Sequence, residues 1–409
     1  MSVVHESDRR TIEQIEPVRT TVDTQPKRDG GEVWIDFVDR LEDVAAYRLD
    51  WDELCECCAE PNVFQSPWML LPAWEQAGDD ERLRFAFVYE QPPRKADPPV
   101  LLGVFPLWKQ RGANGLPISV WQLWTHPLRF LNTPLVRAGH ETTAVKALLD
   151  WVTESRSATA IEFGDIQGEG SFHRALTHLL DSAERTSFTV RRHCRAMIET
   201  GESFDEYMNT QSGHTRRELR RKRRKLEAEG QLELRVWKAG EDVEFWLTQF
   251  LELEVAGWKG REQTALAATE QDEHLFRRIV REAATRDQLD LLGLFLDDRP
   301  VALKCNFLMG RGGYAFKIAF DETYAKLSPG VLLELDNMRH TLDSNRLDWM
   351  DSCAVARHPM IDRLWKQRRV IETTLVSSGR LGSDALLAMY PLLRAVKREV
   401  RRLLPGRSH

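Results

Sequence analysis

Three runs rich in Leu, Val, Phe and Ala, 288–297, 300–309 and 313–321, stand almost end to end in the chain. The segments between them, Asp297-Asp298-Arg299-Pro300 and Gly310-Arg311-Gly312-Gly313, are hairpin chemistry. The three runs are therefore expected to pair as an antiparallel meander. The chain then passes through 322–330 (ETYAKLSPG) into a helix whose apolar stripe is Val331, Leu335, Met338 and Leu342, spaced four, three and four. A strand over 346–353 and a helix near 358–369 complete the unit. A meander that feeds a helix and then another strand excludes an all-helical or an all-β domain. It reads as an α/β unit.

Upstream, the pattern gives helices over 214–229, 241–257 and 270–286 and a strand over 231–238. The first half has the same grammar. Helices fall at 41–58, around Trp68, Leu71 and Trp74, at 141–156 and at 171–183, and strands at 83–90, 100–109, 159–165 and 187–198. The two halves share an order of elements without visible sequence repetition. The 409 residues therefore divide into two domains, 31–200 and 201–380. Before them, 1–30 lacks apolar periodicity and reads as a disordered leader. After them, 381–409 is expected to hold a basic amphipathic helix, with Leu393, Val396, Val400 and Leu403 on one face and Arg394, Lys397, Arg398, Arg401 and Arg402 around it. That helix either packs on the body or contacts an anionic membrane surface.

The formal net charge of -6 excludes a generally basic nucleic-acid coat, and no DNA partner is expected. The total hides an asymmetry. Residues 216–225 (RRELRRKRRK) hold eight Arg or Lys and one Glu, a net of +7, so the rest of the chain carries -13. Apolar runs such as 291–296 fall far short of the ~18–20 residues needed to cross a bilayer. The polar N-terminus, with no apolar core, is not expected to be a secretory signal, and six cysteines in this length are not expected to form a disulfide framework. Cys55, Cys57 and Cys58 lack a second ligand cluster, so no metal is expected. The chain reads as cytoplasmic, with a peripheral position at the inner face of the membrane left open through the tail.

Chemistry concentrates between 254 and 358. The Ser-Pro-Gly start of the helix at 329 would present unpaired backbone N–H groups and partial positive charge to a phosphate, with Lys326 nearby. On the preceding strand, Tyr314, Phe316, Ile318 and Phe320 are expected on one face and Ala315, Lys317, Ala319 and Asp321 on the other. Lys304 and Asn306 share a face of the neighbouring strand. A Lys inside a sheet needs an ion-pair partner or a function, and Lys317 is open to both readings. Gly257 and Gly260 frame Trp258 and Lys259, with Arg261 just after, which suits a loop that grips an anion and a ring or acyl chain.

The segments ExxGWKGRxxTA (Glu254 to Ala265) and YxFKxAxDExYxxxSPGxLL (Tyr314 to Leu333) resemble GNAT-related acyltransferases associated with cellulose or exopolysaccharide biosynthesis. That group is similar in architecture to the Fem peptidoglycan aminoacyl transferases, which hold two GNAT-like domains in tandem. Arg216 to Gly230, Phe64-Gln65-Ser66-Pro67 and Gly103-Val104-Phe105-Pro106-Leu107 carry the resemblance further. It is strong over 204–358 and loose over 60–200.

The resemblance implies two tandem GNAT-like mixed-sheet domains, the first a degenerate copy that binds no donor, and an N-acyltransferase that uses acyl-CoA, acetyl-CoA foremost. Lys326, Ser328, Gly330 and Val331 would hold the donor's phosphates. The usual Gln/Arg-x-x-Gly-x-Gly/Ala loop is represented only by Lys326-x-x-x-Gly330, which leaves another acyl carrier open. The chemistry is direct attack of an amine on a thioester. Candidate bases are Glu254, Asp351 and His358, and Tyr324 would serve the leaving sulfur. Asp351-Ser352-Cys353 with His358 would also suit a covalent route, but non-covalent transfer is preferred. Lys317 would act at the catalytic centre. Trp258, Lys259, Arg261 and Asp321 would bind the acceptor, with Arg220 and Arg224 of the basic helix. The acceptor is expected to be an amino sugar of an exopolysaccharide or of its lipid-linked precursor. The alternatives are Fem-like transfer of an amino acid from tRNA, and a non-catalytic GNAT-like protein attached to a membrane or synthase complex.

Overall fold

The structure is a computed structural model that describes residues 19–20, 32–78, 80–92, 97–112, 118–257, 261–262 and 265–389. The expected tail helix around 391–404, most of the leader, Trp258 and Lys259 lie outside the described residues.

The first unit runs β1 (Arg19–Thr20), β2 (Val33–Val38), a 3-10 helix (Leu41–Tyr47), α1 (Arg48–Cys57), α2 (Pro67–Ala77), β3 (Leu83–Glu90), β4 (Val100–Arg111), β5 (Ser119–Leu123), β6 (Leu135–Val136), α3 (Glu141–Glu154), β7 (Ala160–Gln167), α4 (Ser171–Ser182) and β8 (Ser187–Glu199). Two helices, α5 (Phe204–Asn209) and α6 (Gly213–Glu227), lead to the second unit. It runs β9 (Leu232–Val236), α7 (Val243–Ala256), α8 (Glu270–Ala284), β10 (Leu289–Leu296), β11 (Arg299–Met309), β12 (Gly312–Phe320), a 3-10 turn (Glu322–Leu327), α9 (Pro329–Asp343), β13 (Trp349–Asp351) and α10 (Ile361–Leu364). Then come β14 (Gln367–Ser377) and α11 (Leu381–Ala388).

One sheet takes in every strand, in the order β1-β2-β3-β4-β5-β7-β14-β8-β13-β12-β11-β10-β9, with β6 alongside β4. In each unit one helix connection makes a parallel pair, β5 with β7 and β12 with β13. The remaining pairs are antiparallel. The tight turn between β10 and β11 places Asp297 at φ 46 and Asp298 at φ 65, as a two-residue hairpin requires.

The expected helix over 358–369 is replaced by the short α10 and by β14. β14 pairs with β7 on one side and β8 on the other, so this late segment completes the sheet of the first unit. The far end of β8 pairs in turn with β13, which makes the sheet continuous across the units.

Helices cover both faces. A single core runs under α1, α2, α7 and α8 across both units, and contains Phe64, Phe276, Phe307, Tyr314 and Phe316. Phe64 and Tyr314 meet at 5.1 Å between ring centres, and Trp68 Nε1 donates to Gln288 Oε1 at 2.6 Å. The opposite face has separate cores, under α3 and α4 in the first unit and under α5, α6 and α9 in the second.

Candidate active site

The site follows from an irregularity in β12. Cys305 pairs with Lys317 but Phe307 pairs with Tyr314, so β12 holds one residue more than β11 across this step. Such a bulge breaks the two-residue alternation and re-aims side chains. The expected faces of β12 are corrected accordingly. Tyr314, Phe316 and Ala319 face the core shared with α7 and α8, while Ala315, Ile318 and Phe320 face α9. Lys317 is turned toward α7, where its Nζ lies 3.5 Å from Glu254 Oε1.

Glu254 is 2% exposed, and its Oε2 accepts a 2.7 Å hydrogen bond from Leu266 N. A cleft of about 20 Å3, enough for one water, is lined by Leu253, Glu254, Gly257, Ile318, Ala319, Phe320 and Glu322. Arg261 closes this end through a 2.8 Å ion pair with Glu322. Asp321 is committed locally, since its Oδ1 accepts from Thr323 N at 2.8 Å and from Thr323 Oγ1 at 2.7 Å.

β12 and β13 pair only over Gly312–Tyr314 and Trp349–Asp351, and β12 continues beyond them. The corresponding gap in the first unit is bridged by its own chain. Asn132 N donates to Asp165 O at 3.0 Å and Gln167 N to Thr133 Oγ1 at 2.8 Å. Asn62 Nδ2 reaches Thr133 O at 2.8 Å and Gln65 Nε2 reaches Asn132 Oδ1 at 2.9 Å. Among the described residues no segment crosses between β12 and β13 in this way.

α9 begins beside that gap. A Cβ at Gly330 would make a tight contact, 3.1 Å, with Phe320 Cδ1. Ser328 caps the helix in the left-handed region, φ 56 and ψ 54. The expected row of free donors is shorter than the sequence suggested. Ser328 N is bonded to Ala325 O and Val331 N to Ser328 O, both at 3.0 Å, which leaves the Gly330 N–H of the three. Lys326 is exposed, and Tyr324 packs part-buried against the α9 core. The cation that reaches the cap is one the sequence did not single out. Lys222 Nζ donates to Ser328 Oγ at 3.0 Å.

Lys222 is there because α6 has an inner face. Leu219 and Leu226 are buried, and Arg223 forms a forked ion pair with Asp336 of α9 at 2.6 and 2.7 Å. The cations of 216–225 are therefore not all solvated. Arg217, Arg220, Arg221, Arg224 and Lys225 remain exposed. Beneath α9, Lys304 pairs with Glu334 at 2.7 Å, and Asn337 and Asn306 continue the chain of bonds to Asp290 and His340.

Two candidate bases lie apart from this group. Asp351 is fully buried between Arg195 at 2.7 Å and Arg369 at 2.8 Å. Burial pushes its pKa up, but the two guanidinium groups outweigh this and hold it below the usual carboxylate range. His358 Nδ1 accepts from Ile361 N at 3.4 Å at the start of α10. Cys353 is buried, and burial raises its thiol far from thiolate character. Cys58 is likewise pushed up to about 12 by burial. No group of three or more His, Cys, Asp or Glu side chains is arranged to hold a metal among the described residues.

The site therefore combines a mixed sheet with helices on both faces, a strand pair that parts beside a helix N-terminus, and a carboxylate–ammonium pair on the α7 side. Residues 213–356 match the family model described as an acetyltransferase (GNAT) domain, so the chain carries a GNAT transferase domain. No curated protein matches the chain in sequence. Among solved structures, FemX aligns with a TM-score of 0.52 at 11% identity, over 80% of this chain and 95% of that one. A tandem GNAT protein from the clavulanic acid biosynthesis pathway aligns at 0.40 and 12%, over 85% and 99%. The C-terminal domain of a putative lysylphosphatidylglycerol synthetase from Agrobacterium fabrum aligns at 0.44 and 11%, over 70% and 84%. At these identities the likeness to FemX is one of fold. No helix among the described residues is long and apolar enough to cross a membrane.

Proposed function

We propose that the second unit moves an acyl group, acetyl in the simplest case, from acyl-CoA to an amine. The acceptor we infer is an amino sugar of an exopolysaccharide or of its lipid-linked precursor. The observation that carries the reading is the joining of the GNAT match to one geometry. The parting of β12 from β13 has Lys222, Ser328 and Gly330 on the α9 side and Glu254 with Lys317 on the α7 side. Donor phosphates would meet the Gly330 N–H, Lys222 and Lys326, and the thioester would lie in the gap. The first unit, whose equivalent gap is bridged by Asn132 and Thr133, would hold no donor.

In the step itself the amine nitrogen attacks the thioester carbonyl, a C–N bond forms and the C–S bond breaks. Glu254 takes the amine proton, directly or through one water in its cleft, and Lys317 orients the carboxylate. Tyr324 returns a proton to the thiolate. Asp351 serves better as the anchor of two buried arginines than as a base. His358 stays a secondary candidate.

A second reading has one observation in its favour. The five outward cations of α6 suit a long polyanion, such as the tRNA of an aminoacyl donor. A thermal-shift screen with acetyl-CoA, longer acyl-CoAs and charged tRNA separates the two. Stabilisation by acyl-CoA, with turnover reduced ~10²–10⁴-fold in Glu254→Gln, is the expected result. Stabilisation by charged tRNA alone would overturn the CoA reading. Failure of every donor, with co-sedimentation on anionic vesicles, would leave a non-catalytic attachment role.

A further inference from the structure

The first unit holds a second concentration of charge, away from the donor gap. The loop 124–134 and the middle of β8 converge on Asp165, which follows an irregularity in β7 and has φ 51. Arg191 donates to Asp165 Oδ1, and Arg129 Nη2 lies 3.7 Å from Oδ2. Arg191, His193 and Arg195 stand two residues apart on one face of β8. Arg195 donates to Phe130 O and shares Asp351 with Arg369. Four guanidinium groups thus divide two carboxylates. A third acid, Glu60, lies near Arg369 but binds the start of α4, accepting from Phe172 N at 2.7 Å and Ser171 Oγ at 3.1 Å.

Burial makes this imbalance costly, because a buried cation is stable only when paired and fully hydrogen-bonded. The side chains of Arg129, Arg195 and Arg369 are 10%, 5% and 4% exposed. Each has an Nε–H with no hydrogen-bond partner among the described residues. His126, beside Arg129, has no hydrogen-bond partner at either ring nitrogen among the described residues. Burial, and secondarily Arg129, push its pKa down to about 3, so the ring is neutral and offers one N–H without adding charge. Arg191 is 58% exposed and opens the cluster to solvent. Asp351 ties it to the donor gap, since its register partner Tyr314 stands three residues before Lys317 on β12.

We propose that Arg129, Arg191 and Arg195, with His126 as a neutral donor, form a phosphoryl-binding site that holds the acceptor. Guanidinium forks match phosphate oxygens two at a time, and such charge-assisted bonds are the strong ones. The assignment to the acceptor rests on the transfer reading above, whereas the anion site itself does not. The phosphoryl group belongs either to a lipid-linked precursor or to a soluble sugar phosphate.

The test is calorimetric titration of the full chain with inorganic pyrophosphate, with and without saturating CoA. One site per chain is expected, retained when CoA is bound. Arg191→Ala, an exposed position that leaves the buried arginines in place, is expected to weaken binding at least tenfold. Arg191→Lys should recover part of it, and His126→Phe should weaken it several-fold with an unchanged circular dichroism spectrum. Absence of pyrophosphate binding, wild-type affinity in Arg191→Ala, or full competition by CoA would each overturn the proposal. Loss of binding in Arg220→Ala/Arg224→Ala but not in Arg191→Ala would do so too, by moving the site to α6. Phosphatidylglycerol vesicles that bind the wild type but not Arg191→Ala identify a lipid source. Pyrophosphate binding without vesicle binding identifies a soluble one. A chain that binds pyrophosphate through Arg191 yet binds no acyl-CoA refutes the transfer reading and not the site.

Discussion

Replacing Lys304 by Met tests whether the donor helix is fastened to the sheet by a buried ion pair. Lys304 and Glu334 are 3% and 0% exposed, and their charges meet at 2.7 Å. Met fills a similar volume but leaves the Glu334 carboxylate with only the 3.1 Å bond from Asn337 Nδ2. Breaking one side of a buried pair costs about 3–5 kcal/mol, and Glu334→Leu should cost as much by stranding the ammonium. Removing both charges is milder. The double variant leaves Asn337 Nδ2 short of its carboxylate acceptor, a penalty of about 1–3 kcal/mol. The two substitutions should therefore couple by at least about 3 kcal/mol in a double-mutant cycle. Urea unfolding followed by Trp fluorescence and circular dichroism reads this as a fall in the midpoint at unchanged slope. A Lys304→Met variant that loses under about 1 kcal/mol, or a double variant as unstable as the singles summed, would show that the pair does not fasten α9.

The same network predicts a pH dependence. The hydrogen bond to Asp290 raises the pKa of His340, against burial and Arg346, which lower it. A raised folded-state value contributes stability that is complete below the ordinary histidine value of 6.5 and is lost as pH rises through the folded value. Unfolding midpoints should therefore fall from about pH 6.5 upward, and Asp290→Asn should flatten the profile; an unchanged profile in that variant would remove the pair as its cause. Asp351→Asn should lower stability by about 3–5 kcal/mol by stranding Arg195 and Arg369, with turnover of the folded protein altered less than about tenfold. A stable variant whose turnover falls beyond ~10²-fold would return Asp351 to the role of base. Gly330→Ala should weaken acyl-CoA binding, because its Cβ would press on Phe320 and move the start of α9 away from β12; wild-type affinity in this variant would remove the Gly330 N–H from the donor site.

What the sequence made legible was local, and what it hid was long-range. The meander over 288–321 and α9 were readable because turn residues and a helical stripe act within a few positions. β14 was not, because Gln367–Ser377 becomes a strand by pairing with β7 and β8, whose partner residues lie 170 or more positions away. Glu254 and Lys317 were identified separately, and the bulge that turns one toward the other carries no obvious residue signature. Asp351 shows the opposite error. A carboxylate at a strand end beside Ser, Cys and a later His invites a catalytic reading. Its partners, Arg195 and Arg369, come from strands of the other unit and instead make it the counter-charge at the junction. One signal was present and unread. Arg191, His193 and Arg195 alternate along a strand whose register makes it central, and three basic side chains on one face of a central strand, running from exposed Arg191 to buried Arg195, need anions from somewhere. The eight cations of 216–225 drew attention because they are contiguous, yet several are simply solvated. Arg195, the less conspicuous arginine of β8, is buried, and burial, rather than density along the chain, makes a positive charge demand a ligand.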